Sequence, residues 1–392
     1  MRYTIARCTG LFCSDGKITM SDVIQQIYEQ VLSKIASGGF PPGTRVPSES
    51  ELAVSLGSTR MNVARALRKL REEGVLHSRK RAGTFVSPSL SAGDLRRFRC
   101  RCSKKIFVLY SGTHANIHWS GESFEAFDAI VRDRGFQVAY DLIPTADGRE
   151  AYAGLLKKTA DSDPAALAIF PGSDDLFFLL DNNDLLLNRP FPIYVLNRGN
   201  DMSRLDFCNT LVMDNHAEGM KMISTLYASG FRRVVCICGH DGVSCEREYW
   251  CVRRYEGMSM GLLTIQDRNC HLEKVGALCP PAVFDLMRDP ARIENTVFVG
   301  MNCLLAARFM EQAAKRGFKA GKNYNIAAFD DHPLYRSCDL TALKVPVREV
   351  GEIFADMVTA DAWYRKYPLK ISLSLSGDWV ERSSCRKLTI VH

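Results

Sequence analysis

The sequence predicts a multidomain chain with a small α+β unit of three helices and a basic hairpin, then a large two-lobed α/β unit. Three observations carry this. Helical periodicity with well-placed cap residues fills the stretch from residue 21 to about 74. Short apolar runs alternate with helix-length segments after residue 105. The formal charge of +7 over 392 residues is also split: residues 20–105 hold 16 basic and 7 acidic side chains, residues 106–392 hold 32 and 36. A basic small unit joined to a mildly acidic large one points to a polyanion binder attached to something else.

Residues 21–37 read as the first helix, with Ser21 as N-cap and Ile24, Ile27, Tyr28, Val31 and Ile35 at helical spacing. Gly38-Gly39 ends it, and FPPGTRVP is a loop. Ser48 and Glu51 form an S-x-x-E capping box that opens a second helix, which Gly57 stops. A third helix follows, capped by Ser58 or Thr59. Its Val63, Ala66, Leu67 and Leu70 fall at i, i+3, i+4, i+7 and form an inner face. At 100° per residue Met61, Arg65 and Arg68 point the other way, with Arg60 on the flank. VLHSRKRAGTFV reads as two short strands around a basic tip of Arg79, Lys80, Arg81 and Gly83. This is the order of a winged helix-turn-helix. SPSLSAGDLRRFRCRCSKK then reads as a linker.

IFVLY (106–110), LAIFP (167–171), PIYVL (192–196), RVVCIC (233–238), TVFVG (296–300) and NIAAF (325–329) read as buried parallel strands. Segments 121–134, 215–229 and 303–316 read as helices between them. The span exceeds one ordinary sheet, which predicts two α/β lobes. The expected boundaries are 1–20 for an N-terminal extension, 21–88 for the winged helix-turn-helix, 89–104 for the linker and 105–392 for the two-lobed α/β domain.

The remaining counts exclude function classes. The 14 cysteines lack paired zinc-knuckle spacing and read as reduced, buried thiols in a cytoplasm, with no metal and no cofactor. No stretch of ~18 apolar residues predicts a transmembrane helix. The first residues lack a signal-peptide pattern. Met20 stands just before the first convincing element, which leaves two readings of the start, Met1 or Met20, the second making residues 1–19 an over-extended reading frame. No G-x-S-x-G, P-loop or H-E-x-x-H supports catalysis, and adjacent Asp330 and Asp331 point apart and do not bracket one bond.

GGFPPGTRVPSESELAVSLGSTRMNVARALRKLREEGVLHSRKRAGTFV resembles the DNA-binding domain of the GntR regulators: the proline-rich loop, the P-S-E helix start, the A-x-x-L-x-x-E-G helix end and the G-T-F-V wing stand in order. The resemblance implies a dimer on double-stranded DNA, with the third helix in the major groove and the wing at the neighbouring groove. Arg45, Ser48, Thr59, Arg60, Met61, Asn62, Arg65, Lys80, Arg81 and Gly83 are the expected DNA-binding residues. Arg60 and Arg65 suit guanine edges or phosphates. Met61 suits a thymine methyl, and Lys80 and Arg81 suit phosphates or a narrow minor groove. Ser50 and Ala64 stand where many relatives carry arginine, and Arg81 replaces the usual wing glycine, so the operator does not transfer.

From about residue 105 to 388 the chain is similar to the effector domain of the LacI/GalR regulators, itself periplasmic-binding-protein-like. VMDNHAEGMKMISTLYASGFRRVVCICG, RRYEGMSMGL, TVFVGMNCLLAARFMEQAAKRG, NIAAFDD and DWVERSS carry the likeness. The combined layout resembles the AraR regulators. It implies a ligand between two lobes at the strand ends, with Trp119, Arg198, Arg254, Asn302 and Asp330 as effector-binding residues. Trp119 would stack on a sugar ring, with His118 as the alternative. Cys303 stands where the family has aspartate. Asp214 and Asn215 fit either a family motif or a helix cap. The expected function is a cytoplasmic, ligand-controlled repressor that acts as a homodimer and answers most naturally to a sugar. A non-sugar effector such as a nucleobase, and a solute-binding protein without a regulatory role, are the alternatives.

Overall fold

The structure, a computed structural model, describes residues 20–111, 118–197, 208–238, 249–276, 281–359 and 372–386. The chain divides into two compact units. One holds the residues up to Lys104 together with 160–165, and the other holds the rest.

In the first unit the helices are α1 (Met20–Ala36), α2 (Glu49–Ser55) and α3 (Arg60–Glu72), followed by β1 (Leu76–Arg79), β2 (Gly83–Val86) and α4 (Ala92–Cys102). Local chemistry sets the helix starts. Ser48 and Glu51 close a complete capping box on α2, and the Thr59 hydroxyl accepts from the Asn62 amide at 3.3 Å on α3. The inner face of α3, Val63, Ala66, Leu67 and Leu70, is buried with Tyr28, Val31, Leu32 and Ile35 of α1. β1 and β2 pair antiparallel from Leu76↔Val86 to Arg79↔Gly83. The winged helix-turn-helix read from the sequence is the fold observed.

The stretch read as a linker holds α4. Ser91 and Asp94 form a second capping box, and Leu95, Phe98 and Cys102 turn one side of the helix onto the core of α1 and α3. The Cys102 thiol reaches the Glu29 carbonyl of α1 at 3.8 Å. Arg101 and Lys69 both lie over the Tyr28 ring, at 4.9 and 4.7 Å, while the Tyr28 hydroxyl donates to Glu73 at 2.6 Å. Arg96 and Arg99 grip Asp163 at 3.1 and 2.7 Å, which ties residues 160–165 to this unit.

The second unit contains two six-stranded sheets. Its strands and helices run β3 (Lys105–Tyr110), α5 (His118–Asp133), β4 (Gln137–Leu142), α6 (Gly148–Asp161), β5 (Ala166–Phe170), α7 (Ser173–Asp181), β6 (Ile193–Asn197), β7 (Asn209–Met213), α8 (Asn215–Ala228), β8 (Arg233–Cys238), α9 (Tyr249–Ile265), β9 (His271–Gly276), α10 (Pro281–Asp285), α11 (Pro290–Ile293), β10 (Thr296–Gly300), α12 (Cys303–Ala314), β11 (Asn325–Phe329), β12 (Thr341–Lys344), α13 (Val347–Thr359), β13 (Ser372–Leu375) and β14 (Asp378–Val380). The first lobe has strand order β13-β7-β6-β5-β3-β4, all parallel. The second has β14-β12-β11-β10-β8-β9, with β14 alone antiparallel. The six apolar runs of the sequence are the central strands β3, β5, β6, β8, β10 and β11.

The chain passes between the lobes at Asp214, at 345–346 and at 376–377. α13 returns to the first lobe, where Val350, Phe354 and Val358 join Phe127 and Val131 of α5 in one core. In the second lobe α8 and α9 lie so close that a Cβ on Gly219 would strike the Arg254 carbonyl and one on Gly257 the His216 carbonyl. That contact fixes how α9 presents Arg254 to α8.

Candidate functional site

Two sets of side chains stand out, one in each unit. On α3 the buried face leaves Arg60, Met61, Arg65 and Arg68 exposed on the opposite side. Met61, a large apolar side chain, is 59% exposed. Arg60 Nε donates to Glu49 of α2 at 3.2 Å, which leaves its two terminal amino groups facing outward, the end that reads a guanine bidentately. Asn62 and Thr59 are joined by the cap hydrogen bond of α3, and Ser48 by the capping box of α2. Lys80 and Arg81 are exposed at the wing tip, and Arg81 adopts a left-handed backbone with φ 62°. Arg45 bridges Phe85 on the wing, and its guanidinium lies against Gly83, where a Cβ would come within 2.9 Å of Nε. Arg79 stacks over Phe85 at 4.7 Å, which stiffens the hairpin from the side.

In the second lobe the site is built around Arg254, which is 5% exposed. Nε donates to Asn215 Oδ1 at 2.8 Å, and one terminal amino group donates to the Met301 carbonyl at 2.7 Å and to Asp330 Oδ2 at 3.2 Å. The other donates to Asp330 Oδ1 at 2.7 Å and to Glu218 Oε2 at 3.4 Å. All five guanidinium hydrogens are thus engaged. Phe329 and Trp250 lie over the guanidinium at 4.7 and 5.2 Å. The arginine therefore joins α8, α9 and the C-terminal ends of β10 and β11, the edge at which open α/β sheets bind ligands. Burial disfavours the Arg254 charge, but Asp330 and Glu218 outweigh that cost and its pKa is held above the usual arginine value.

Asp330 stands in left-handed backbone, φ 67°, and its amide donates to the Leu343 carbonyl at 3.0 Å. Asp331 turns away and receives a bidentate pair from Arg382, at 2.8 Å each. Asn302 caps α12 through Oδ1, which accepts from the Leu305 amide at 2.8 Å. Asp214 caps α8 by accepting from the Ala217 amide at 2.9 Å, so the capping alternative holds for this residue. Asn215 is the partner of Arg254. The Cys303 thiol is buried, and burial raises it to about 12. Trp119 and His118 open α5, but their side chains lie outside the described residues. Arg198 lies outside them altogether.

The structure therefore brings Arg254 and Asp330 together, with Asn302 on the adjoining strand end. Sequence reasoning missed Glu218. It is 1% exposed, and burial lifts its carboxyl to about 7 against the pull of Arg254. The available signal was its place three residues after Asn215, on the helical face that meets the RRYEGMSMGL segment. Among the described residues no group of histidine, cysteine or carboxylate side chains is arranged to hold a metal ion. No described helix is long and apolar enough to cross a membrane.

Comparison with known proteins bears on both sets. Residues 23–86 match the family model described as bacterial regulatory proteins, gntR family. The chain is 22% identical over 342 residues to the arabinose metabolism transcriptional repressor of Geobacillus stearothermophilus, spanning 85% of this chain and 89% of that protein. It is 47% identical over 62 residues to the histidine utilization repressor of Pseudomonas aeruginosa, and there it spans 25% of the relative. A putative LacI-family regulator from Rhizobium etli superposes with TM-score 0.54 at 13% identity, over 72% of this chain and 99% of that one. A LacI-family regulator from Enterococcus faecium with bound ribose gives 0.51 at 16%, over 73% and 100%. These structures establish the fold of the larger unit. Residues 23–86 are a GntR-type DNA-binding domain, the two-sheet unit behind them has the LacI-like fold, and the chain is a transcription regulator rather than an enzyme.

Proposed function

We infer that this regulator is a cytoplasmic repressor that binds its operator as a homodimer and is controlled by a sugar held at the strand ends of the larger unit. The observation that carries the DNA half is the division of α3, whose Val63, Ala66, Leu67 and Leu70 are buried while Arg60, Met61 and Arg65 are exposed. A helix packed this way presents a basic, base-sized row to a major groove, with Lys80 and Arg81 set to meet the adjoining backbone. Arg45, Ser48, Thr59, Asn62 and Gly83 are assigned to the same interface as phosphate-side or framework positions.

For the effector half, Arg254 and Asp330 stand at the strand ends with Asn302, and Arg198 and Trp119 complete the proposed set. A hydroxyl-rich ligand exchanges hydrogen bonds with a guanidinium–carboxylate pair of this kind. The names of the arabinose repressor and of the ribose-bound neighbour support a sugar. Ligand binding that favours one degree of lobe closure would alter operator affinity, and operator binding would alter ligand affinity by the same factor.

Thermal-shift screening of L-arabinose, D-ribose and a wider sugar panel, with adenine as a nucleobase probe, tests the effector class. Anisotropy titration on DNA from upstream of the protein's own gene tests operator binding. Stabilisation by a sugar that also changes DNA affinity is the expected result. Stabilisation by adenine alone would move the effector to the nucleobases.

A further inference from the structure

Arg254 has no hydrogen left to offer a ligand. Nε is taken by Asn215, one amino group by the Met301 carbonyl and Asp330 Oδ2, and the other by Asp330 Oδ1 and Glu218 Oε2. Phe329 and Trp250 lie against the guanidinium itself. A ligand acceptor that sought this arginine would have to displace one of those partners, and the displaced carboxylate would lose its cation.

Asp330 is in the opposite position. Its side chain is 17% exposed, against 6% for Arg254 and 1% for Glu218, so it is the outermost of the three. Each carboxylate oxygen carries two lone pairs. Arg254 occupies one on each oxygen, and the other on each has no donor among the described residues. Asp330 also stands in left-handed backbone, pinned by its amide to the Leu343 carbonyl. Such conformations persist where the surroundings over-determine them, often at ligand clamps. On the adjoining strand end Asn302 commits its oxygen to the Leu305 amide, which leaves the NH2 of its carboxamide as a donor.

No cation at these strand ends lacks its acid. Arg254, Asp330 and Glu218 together carry no net positive charge, whichever form Glu218 takes. Arg382 is bound bidentately by Asp331, which Arg336 also approaches, and Asp339 adds a second acid to Arg382. The N-terminus of α12 is capped by Asn302 and that of α8 by Asp214. A phosphate or carboxylate placed here would face Asp330 with no cation to receive it.

The geometry points to a division of labour in which Asp330 and Asn302 face the effector, Arg254 is a positioning residue that holds Asp330 from behind, and the effector is an uncharged molecule that donates hydroxyl hydrogens to Asp330, not a sugar phosphate or a sugar acid. This deepens the sugar reading and rests on its placement of the effector at these strand ends. Two hydroxyls can each donate to one oxygen of Asp330, and the Asn302 NH2 can donate to a third oxygen of the same ligand.

Hydrogen exchange on the full chain tests this, read at peptides covering 250–257 and 327–331 so that anions gathered by the basic smaller unit do not count. The probes are matched pairs, D-ribose with D-ribose 5-phosphate and L-arabinose with L-arabinonate, together with inorganic phosphate. An uncharged sugar should protect these peptides, and its anionic counterpart should need at least about tenfold more to do so. Inorganic phosphate should leave wild type flat. Asp330→Asn keeps a side chain that tolerates left-handed backbone and removes the charge in front of Arg254. It should weaken protection by the sugar and let phosphate protect, a reversal of charge preference that loss of packing alone would not produce. An anionic probe that protects wild type at the concentration of its parent sugar overturns the inference. So does phosphate that protects wild type as strongly as Asp330→Asn, or that leaves an Asp330→Asn chain of native circular dichroism flat. If that variant does not fold, the matched pairs and phosphate on wild type decide. Protection by neither sugar of either pair removes the sugar reading alone, because the phosphate arm still judges the charge of the site.

Discussion

Arg60 and Arg254 are the same residue type, each beside a glutamate on a neighbouring helix, and they live under opposite rules. The Arg60 side chain is 73% exposed and meets one carboxylate. The Arg254 side chain is 6% exposed and meets two, along with a carbonyl and a side-chain amide. In water the Arg60–Glu49 pair contributes little and is free to trade its partner for a base or a phosphate. In the lobe interior the Arg254 cluster has paid its desolvation in advance, and removing the arginine leaves two carboxylates without compensation. On the function proposed above, the smaller unit keeps its DNA-reading residues on a surface that stability does not depend on, whereas the second lobe builds its effector residues into the core.

The sharpest way to break this contrast is Arg254→Ala. It should lower the stability of the larger unit by about 3–5 kcal/mol, because buried Glu218 and half-buried Asp330 would be left without their cation. Urea melts that match wild type would refute the picture of a keystone cluster. Glu218→Gln should act in the opposite sense, with an effect that grows from about pH 4.5 and is complete above about pH 7. Glu218 ordinarily titrates at 4.5 and in the fold at about 7, so between those values the folded chain holds a proton that the unfolded chain has lost. The stability this gives is complete below pH 4.5 and lost as the pH rises through about 7. Glutamine is neutral throughout, so the variant should match wild type near pH 4 and be more stable at pH 8, by about 1–3 kcal/mol. A wild-type-like difference between the two pH values would contradict it.

On the exposed side, Arg60→Ala should weaken operator binding about tenfold, or about 1.4 kcal/mol. Its melting temperature should not move, and a measurable drop would place Arg60 in the fold's energetics after all. Smallest of the four, Glu49→Ala should change stability by less than about 0.5 kcal/mol. If operator discrimination falls while non-specific DNA affinity holds, the glutamate is acting through the orientation of Arg60.

The difference between surface and core also explains what could be read in advance. β5 and β10 are buried along their whole length and appear in the sequence as unbroken apolar runs. β4 and β9 are partly exposed edge strands, and QVAYDL and HLEKVG carry no such run. The inner face of α3 was legible because four residues repeat at helical spacing. α4 was missed because its signal is short: a capping box at Ser91 and Asp94 and three apolar positions, Leu95, Phe98 and Cys102, among arginines. Arg254 and Asp330 were nameable from motifs, yet their pairing with Glu218 depends on how closely α8 and α9 approach at Gly219 and Gly257, a fact of tertiary packing. Trp119 and Arg198 rest on the sequence alone.

α4 also redraws where the DNA-reading part of the molecule ends. A fragment cut at Pro88, after the last wing residue, would strip Leu90, Leu95 and Phe98 from the hydrophobic core and Arg101 from the Tyr28 ring. The patch left bare on α1 would invite self-association at the concentrations used for spectroscopy. A piece running from Met20 to Lys104 keeps that surface covered, and it is the shorter molecule on which the operator can be mapped separately from the sensor.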